Sequence, residues 1–175
     1  MHPLDHFHNC PHCGSPQFTQ INVKAKRCAA CHFTYYANAC AATACFIRNA
    51  AGELLVARRA KEPACGTLDL PGGFVDMDET AEEALRRELQ EETGLTGDYA
   101  LRYLFSLPNR YEYSGMTIHT LDLFYEAHAP DGWTPCPADD VSELLFLPLA
   151  QLDPAAFGLC SIRTAVRRLV CDQLG

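Results

Sequence analysis

The 175-residue sequence predicts a mixed α/β domain in which strands outnumber helices, preceded by a small cysteine-bound module. Three observations carry that expectation. Two C-x-x-C pairs, Cys10/Cys13 and Cys28/Cys31, crowd the N-terminus. Beyond them, short apolar runs bounded by Gly, Pro and Asn alternate with two segments of helical period. The composition is that of an ordinary globular chain, 48% hydrophobic and 21% charged, long enough to bury a sizeable core.

The module comes first, over residues 1–35. Two knuckles of this kind can present four thiolates tetrahedrally to Zn²⁺, each pair on a tight turn. Gly14, just after the first pair, suits a turn that needs positive φ. Two disulfides or a redox C-x-x-C are the competing readings, and disulfides fit poorly with an N-terminus that lacks a secretory signal. His6, His8, His12 and His32 lie close by, but four cysteines already fill a closed site, so the histidines are expected at the surface. Cys40, Cys45, Cys65, Cys136, Cys160 and Cys171 show no ligand spacing and read as small buried hydrophobes.

Residues 36–175 form the second domain. A hairpin is expected over Ala39 to Arg58, turning at Asn49-Ala50-Ala51-Gly52. Gly66 to Leu70 then leads into a Pro71-Gly72-Gly73 bend. A helix follows over Thr80 to Thr93, capped by Asp78 or Glu79, with Ala81, Ala84, Leu85 and Leu89 as its apolar stripe and Gly94 as its stop. Strands are expected at Tyr99 to Leu107, Thr117 to His128 and Leu144 to Pro148. A last helix covers Ser161 to Asp172.

Charge narrows the function. The formal net charge of -8 opposes non-specific nucleic-acid binding, which needs a basic surface. Between Cys13 and Cys28 only Lys24, Lys26 and Arg27 are basic, a thin patch for a phosphate backbone. The longest weakly polar run, Ala37 to Ile47, is too short to span a bilayer, so the expectation is a cytoplasmic protein without membrane segments.

The densest charge lies in "PGGFVDMDETAEEALRRELQEETGL", which carries only two arginines. Glu88, Glu91 and Glu92 stand at i, i+3 and i+4 and therefore share one helix face. Like charges so placed repel by about 0.2–0.5 kcal/mol per pair. One reading is a solvated acidic face. The other is a site for hard divalent cations, which prefer oxygen ligands. Arg87, one residue off that face, can clamp a carboxylate with two parallel N–H groups.

The spacing is more specific than acidity. Gly73, five residues, Glu79, seven residues, Arg87-Glu88-Leu89, one residue, Glu91-Glu92, one residue and Gly94-Leu95 resemble the Nudix box at every specified position. The resemblance covers residues 36–175, and a zinc ribbon precedes the Nudix domain in the NADH pyrophosphatase and ADP-ribose pyrophosphatase branch. It implies an α/β/α sandwich with a mixed sheet and a Mg²⁺- or Mn²⁺-dependent hydrolase of nucleoside diphosphates linked to another group. It also implies Zn²⁺ as structural metal, a small-molecule nucleotide substrate and, in relatives of this architecture, a homodimer.

Matched residue by residue, Glu88, Glu91 and Glu92 take the metal-binding positions. Arg87 and Glu79 take the pair that holds loop and helix in register. Gly73 takes the glycine that opens the box. The general base stays open between Glu91, Glu92 and a residue outside the box. Asp140 and Glu143 fall where some members supply a further metal carboxylate. The NADH pyrophosphatases carry S-Q-P-W-P-F-P-x-S shortly after the box. Here "SLPNRYEYS", Ser106 to Ser114, keeps both serines and the first proline, so the location resembles a specificity loop while its chemistry differs.

Within that loop Arg110 is a candidate for a ribose or phosphate. Tyr111 and Tyr113 either stack on a planar ring or pack at the sheet edge. Trp133, in a Pro/Gly-rich loop, reads as an anchor. "LDLPGGFVD" favours ADP-ribose, NADH or FAD over a triphosphate. The alternatives are a house-cleaning triphosphate pyrophosphohydrolase and a ligand-sensing protein whose ribbon grips nucleic acid or protein.

Overall fold

The computed structural model describes residues 2–173; the end of the second sequence domain, Leu174 and Gly175, lies outside them. The N-terminal module is a three-stranded antiparallel sheet of β1 (Phe18–Asn22), β2 (Ala25–Cys28) and β3 (Thr34–Tyr36). Its two knuckles repeat one design. Gly14 N–H donates to the Cys10 carbonyl and His32 N–H to the Cys28 carbonyl, at 2.8 and 3.0 Å. Both closing residues are left-handed, at φ 74° and 60°. Glycine meets that demand freely at the first knuckle, and a histidine accepts it at the second.

The larger sheet holds six strands. They are β4 (Cys40–Arg48), β5 (Leu54–Arg59), β6 (Leu68–Asp69), β7 (Arg102–Tyr113), β8 (Met116–His128) and β9 (Val141–Leu147). The order is β6-β5-β4-β8-β7, with β9 on β5. β4 pairs parallel with β8 over nine residues, Cys40↔Thr120 to Arg48↔His128. The remaining pairs are antiparallel. Two helices, α1 (Ala81–Thr93) and α2 (Cys160–Gln173), cover opposite faces. Alternation in β4 explains the layers. Ala44 and Phe46 join the core beneath α2, whereas Cys45 and Ile47 join Leu85 and Leu89 of α1. Each fully buried leucine contributes roughly 1.5–3 kcal/mol.

Several expectations need correction. The β4–β5 hairpin is paired only at Arg48↔Leu54. Past that point the strands part, because the loop after β6 bonds to the freed edge of β4. Cys45 N–H donates to Pro71, Thr43 N–H to Gly73, and Val75 N–H to Ala41, at 2.8–3.0 Å. The helix cap is Thr80, not Asp78 or Glu79. Thr80 Oγ1 accepts from Glu83 N–H while Glu83 accepts from Thr80 N–H, a reciprocal box. Asp78 is left-handed at φ 70°, and Glu79 is committed to Arg87.

Ser106 to Tyr113 is strand rather than loop, since β7 runs on to pair with β8 as far as Tyr113↔Met116. Of the six unpaired cysteines only Cys45 is buried. Cys40, Cys65, Cys136, Cys160 and Cys171 are exposed, at a strand start, in loops or on the outer side of α2. Trp133 is an anchor as expected, packed edge-on against Phe146. Among the described residues no helix is long and apolar enough to cross a membrane.

Candidate active site

The parting of β4 from β5 opens a cavity of about 320 Å³. Its walls are β4, β5, β6, the Gly72–Asp76 stretch, α1, β7, β8, the Asp139–Asp140 turn and the start of α2. Eight carboxylates and two guanidinium groups line it. Carboxylates therefore far outnumber cationic groups around the cavity.

The Pro71–Asp76 loop sits against the helix because its second and third residues are glycines. A Cβ on Gly72, at φ 141°, would lie 2.3 Å from the Thr43 carbonyl oxygen. A Cβ on Gly73 would lie 2.4 Å from the Glu88 carboxyl carbon. Bare backbone therefore reaches the acidic face, and Gly72 N–H donates to Glu92 Oε2 at 2.9 Å.

Arg87 organises the face. It donates to Glu79 through Nε and Nη2 at 2.9 and 3.0 Å, and through Nη1 to Glu88 at 2.8 Å and Glu91 at 3.2 Å. Nη2 also reaches the Phe74 carbonyl at 3.1 Å. One guanidinium thus joins loop and helix. Its hydrogen bonds hold the Glu79 carboxyl below the usual range. Burial acts the other way on the deeper acids: it raises Glu88 and pushes Glu92 up to about 8.

These donors fit a divalent cation. Glu88, Glu91 and Glu92 all line the cavity, offer only oxygen, and hold more negative charge than the two arginines neutralise. A buried carboxyl that prefers its proton at neutral pH is also one that a cation would discharge. Asp140 lines the cavity as well and is paired with Lys61. Glu143 lies on β9, pairs with Arg58 at 2.8 Å and does not line it.

The remaining sequence candidates divide. Gly73 and Tyr111 line the cavity. Arg110 projects from the opposite face of β7 and is exposed, and Tyr113 lies two residues beyond the rim, 58% exposed. Several lining groups were not singled out from the sequence, among them Asp69, Arg59, Asp122 and Asn109. Asp69 is buried, accepts from Arg59 Nη1 at 2.5 Å, and is raised by that burial. Arg59 also approaches the Tyr111 hydroxyl at 3.5 Å. Asp122 accepts from Thr120 and Ser161 hydroxyls, and Asn109 lies beside Thr120. A faint signal existed: Thr120 and Asp122 place polar side chains at strand period inside an apolar run.

In the module, the Cys10–Cys31 and Cys13–Cys28 sulfurs are each 3.7 Å apart, and all four lie within 4.8 Å of one another. No disulfide has that separation; a bonded pair is about 2.05 Å apart. A thiolate tetrahedron around zinc at about 2.3 Å has edges of about 3.8 Å. The cluster is compatible with a zinc ribbon. The nearby histidines are exposed.

An α/β/α domain with an acidic helix face closed over a glycine-rich loop is the class that fold and site define. The chain matches the NUDIX domain over residues 39–167, and it belongs to that family. It is 35% identical over 106 residues to the ADP-ribose pyrophosphatase of Methanocaldococcus jannaschii, covering 60% of each chain. It is 43% identical over 68 residues to the 8-oxo-dGTP diphosphatase of Escherichia coli K12, covering 38% of this chain and 49% of that one. Similarity to the NAD-capped RNA hydrolase NudC of Chromobacterium violaceum is 35% over 97 residues, 55% of this chain and 36% of that one.

The chain thus spans between about a third and three fifths of the length of these curated relatives. The fold is shared with a NUDIX hydrolase from Nitrosomonas europaea, at TM-score 0.70, 19% identity and coverage of 94% and 91%. It is also shared with the NUDIX domain of Shewanella oneidensis NrtR complexed with ADP ribose, at TM-score 0.58, 21% identity and coverage of 79% and 90%.

Proposed function

We propose that the chain is a divalent-metal-dependent diphosphohydrolase acting on an ADP-linked compound of the ADP-ribose, NADH or FAD type. Nucleoside monophosphate is the expected product. The observation that carries this reading is the convergence of Glu88, Glu91 and Glu92 with the Gly72–Gly73 backbone on one cavity. Similarity to an ADP-ribose pyrophosphatase supports the substrate class.

A pyrophosphate is anionic and would be repelled by so acidic a lining. Mg²⁺ or Mn²⁺ bound to the three glutamates supplies the compensating charge and an acidified water. The protein's own groups do the rest. Arg87 fixes the direction of Glu88 and Glu91, and Gly72 N–H fixes Glu92. The side-chain-free loop lets the diphosphate approach the backbone closely. Glu91, Glu92 or a residue outside the box accepts the proton of the attacking water. Glu79 keeps Arg87 in place and touches no reacting atom. Cys10, Cys13, Cys28 and Cys31 hold Zn²⁺ as a closed structural site, in a cytoplasmic protein.

Product analysis tests the reading. The protein is incubated with Mg²⁺ or Mn²⁺ and ADP-ribose, NADH, NAD⁺, FAD or nucleoside triphosphates. AMP release from an ADP-linked compound, lost in a Glu91→Gln, Glu92→Gln variant, is expected. Pyrophosphate released only from triphosphates would replace it with the reading favoured by the similarity to an 8-oxo-dGTP diphosphatase. Binding without turnover would move the weight to a ligand sensor.

A further inference from the structure

The cavity has two chemically different ends. Glu88, Glu91 and Glu92 occupy one. The other is built from β7, β8 and the start of α2, and presents Asn109, Tyr111, Thr120, Asp122, Leu159 and Ile162. Most polar groups there are already engaged. Asp122 accepts two hydroxyl hydrogen bonds at 2.5 Å. Arg59 donates to Asp69, to the Pro63 carbonyl and to Tyr111.

Asn109 is the exception. It is only 7% exposed, and its buried Oδ1 accepts no hydrogen bond from the described residues. A buried amide oxygen left in this state is costly, and a core position would not select asparagine for it. The uncommitted amide therefore points to a ligand. Tyr111 follows two residues later on the same face of β7, about 6.7 Å along the strand. Its ring meets Phe74 edge-on at 5.5 Å. Tyr111, Phe74 and Asn109 all line the cavity, so a planar ring against Tyr111 would lie on the strand face that also carries Asn109.

We propose that Asn109 is a specificity-determining residue that pairs with the adenine edge of the substrate. Oδ1 accepts from the exocyclic amine, and Nδ2 donates to the neighbouring ring nitrogen. An asparagine amide and an adenine edge match in this two-bond fashion. Oδ1 is occluded as it stands, and the amide torsion is broad and roughly two-fold, so rotation about it turns Oδ1 toward the ligand. The proposal rests on the ADP-linked reading of the substrate.

The test is equilibrium titration, with Mg²⁺ present, of AMP and of purine riboside 5′-monophosphate, which lacks the amine. Wild type is expected to prefer AMP by about tenfold or more. In Asn109→Leu the preference should shrink below about twofold, while the ligand-free thermal midpoint stays level or rises, because an unmet polar group has gone. A preference unchanged in Asn109→Leu, or absent in wild type, overturns the proposal.

If Asn109→Leu does not fold, Asn109→Asp keeps the size and loses the donor. It should weaken AMP, and unchanged affinity would overturn the proposal. These readings need no turnover, so an inactive panel in the product assay would remove the hydrolase reading and leave this result legible. Where turnover occurs, Asn109→Leu should raise KM for the ADP-linked substrate far more than it lowers kcat.

Discussion

The two candidate metal sites of this chain are assembled in opposite ways. In the N-terminal module four sulfurs stand within 4.8 Å of one another. In the cleft, no three carboxylates among the described residues approach so closely. The difference is charge. Thiols are neutral until a metal or strong donors ionise them, and backbone N–H groups, that of Cys31 foremost, bring Cys28 down to about 6. Carboxylates repel as soon as they ionise, so the cleft holds them apart on adjacent helical turns and clamps them with Arg87. A site that gathers four ligands within reach of one ion is closed and structural. One whose ligands are held open leaves room for a substrate.

The sharpest way to break this contrast is at the cleft. Glu92→Gln should cut kcat/KM by at least about a hundredfold, since even outer-shell partners of a metal are worth about 10–100-fold. The variant should still fold. Retained activity in a steady-state assay would exclude Glu92 from the site. Cys28→Ser attacks the other side. It should abolish zinc in elemental analysis and lower the thermal midpoint by at least about 5 °C, with the cleft still able to bind a divalent cation. Unchanged zinc content would exclude the tetrathiolate.

A pH series separates the sites further. Glu92 holds its proton to about pH 8 in the fold but only to about 4.3 in an unfolded chain. Between those values the folded state binds more protons, so metal-free stability should fall as pH rises across that window. Mg²⁺ should reverse the trend by discharging the carboxylate, and Glu92→Gln should flatten it. Thermal midpoints from pH 5 to 8, with and without Mg²⁺, check all three. The smallest effect belongs to the helix frame: Thr80→Ala removes the cap and should cost about 1 kcal/mol in denaturant unfolding, with little change in kcat.

The legible and illegible parts of the site divide along the chain. Glu88, Glu91, Glu92 and Arg87 could be placed because helical spacing alone puts them on adjacent turns. Cys10, Cys13, Cys28 and Cys31 could be grouped because each pair closes its own turn. Asn109, Asp122, Arg59 and Asp69 could not. They are brought together by β4 parting from β5 on one edge and pairing on the other with β8, about 80 residues away along the chain. The extension of β7 through Tyr113 was hidden for the same reason: Pro108 and a run of polar residues read as loop until β8 supplies the opposing ladder.

The sequence by itself determined what local geometry can encode: the acidic helix with its glycine bend, the two knuckles and the family to which they belong. Tertiary structure decided which polar groups were left without partners. Satisfaction of a hydrogen bond depends on what the folded chain brings within 3 Å or so, and Asn109 becomes distinctive only when Thr120, Asp122 and Ser161 have found each other and left it out.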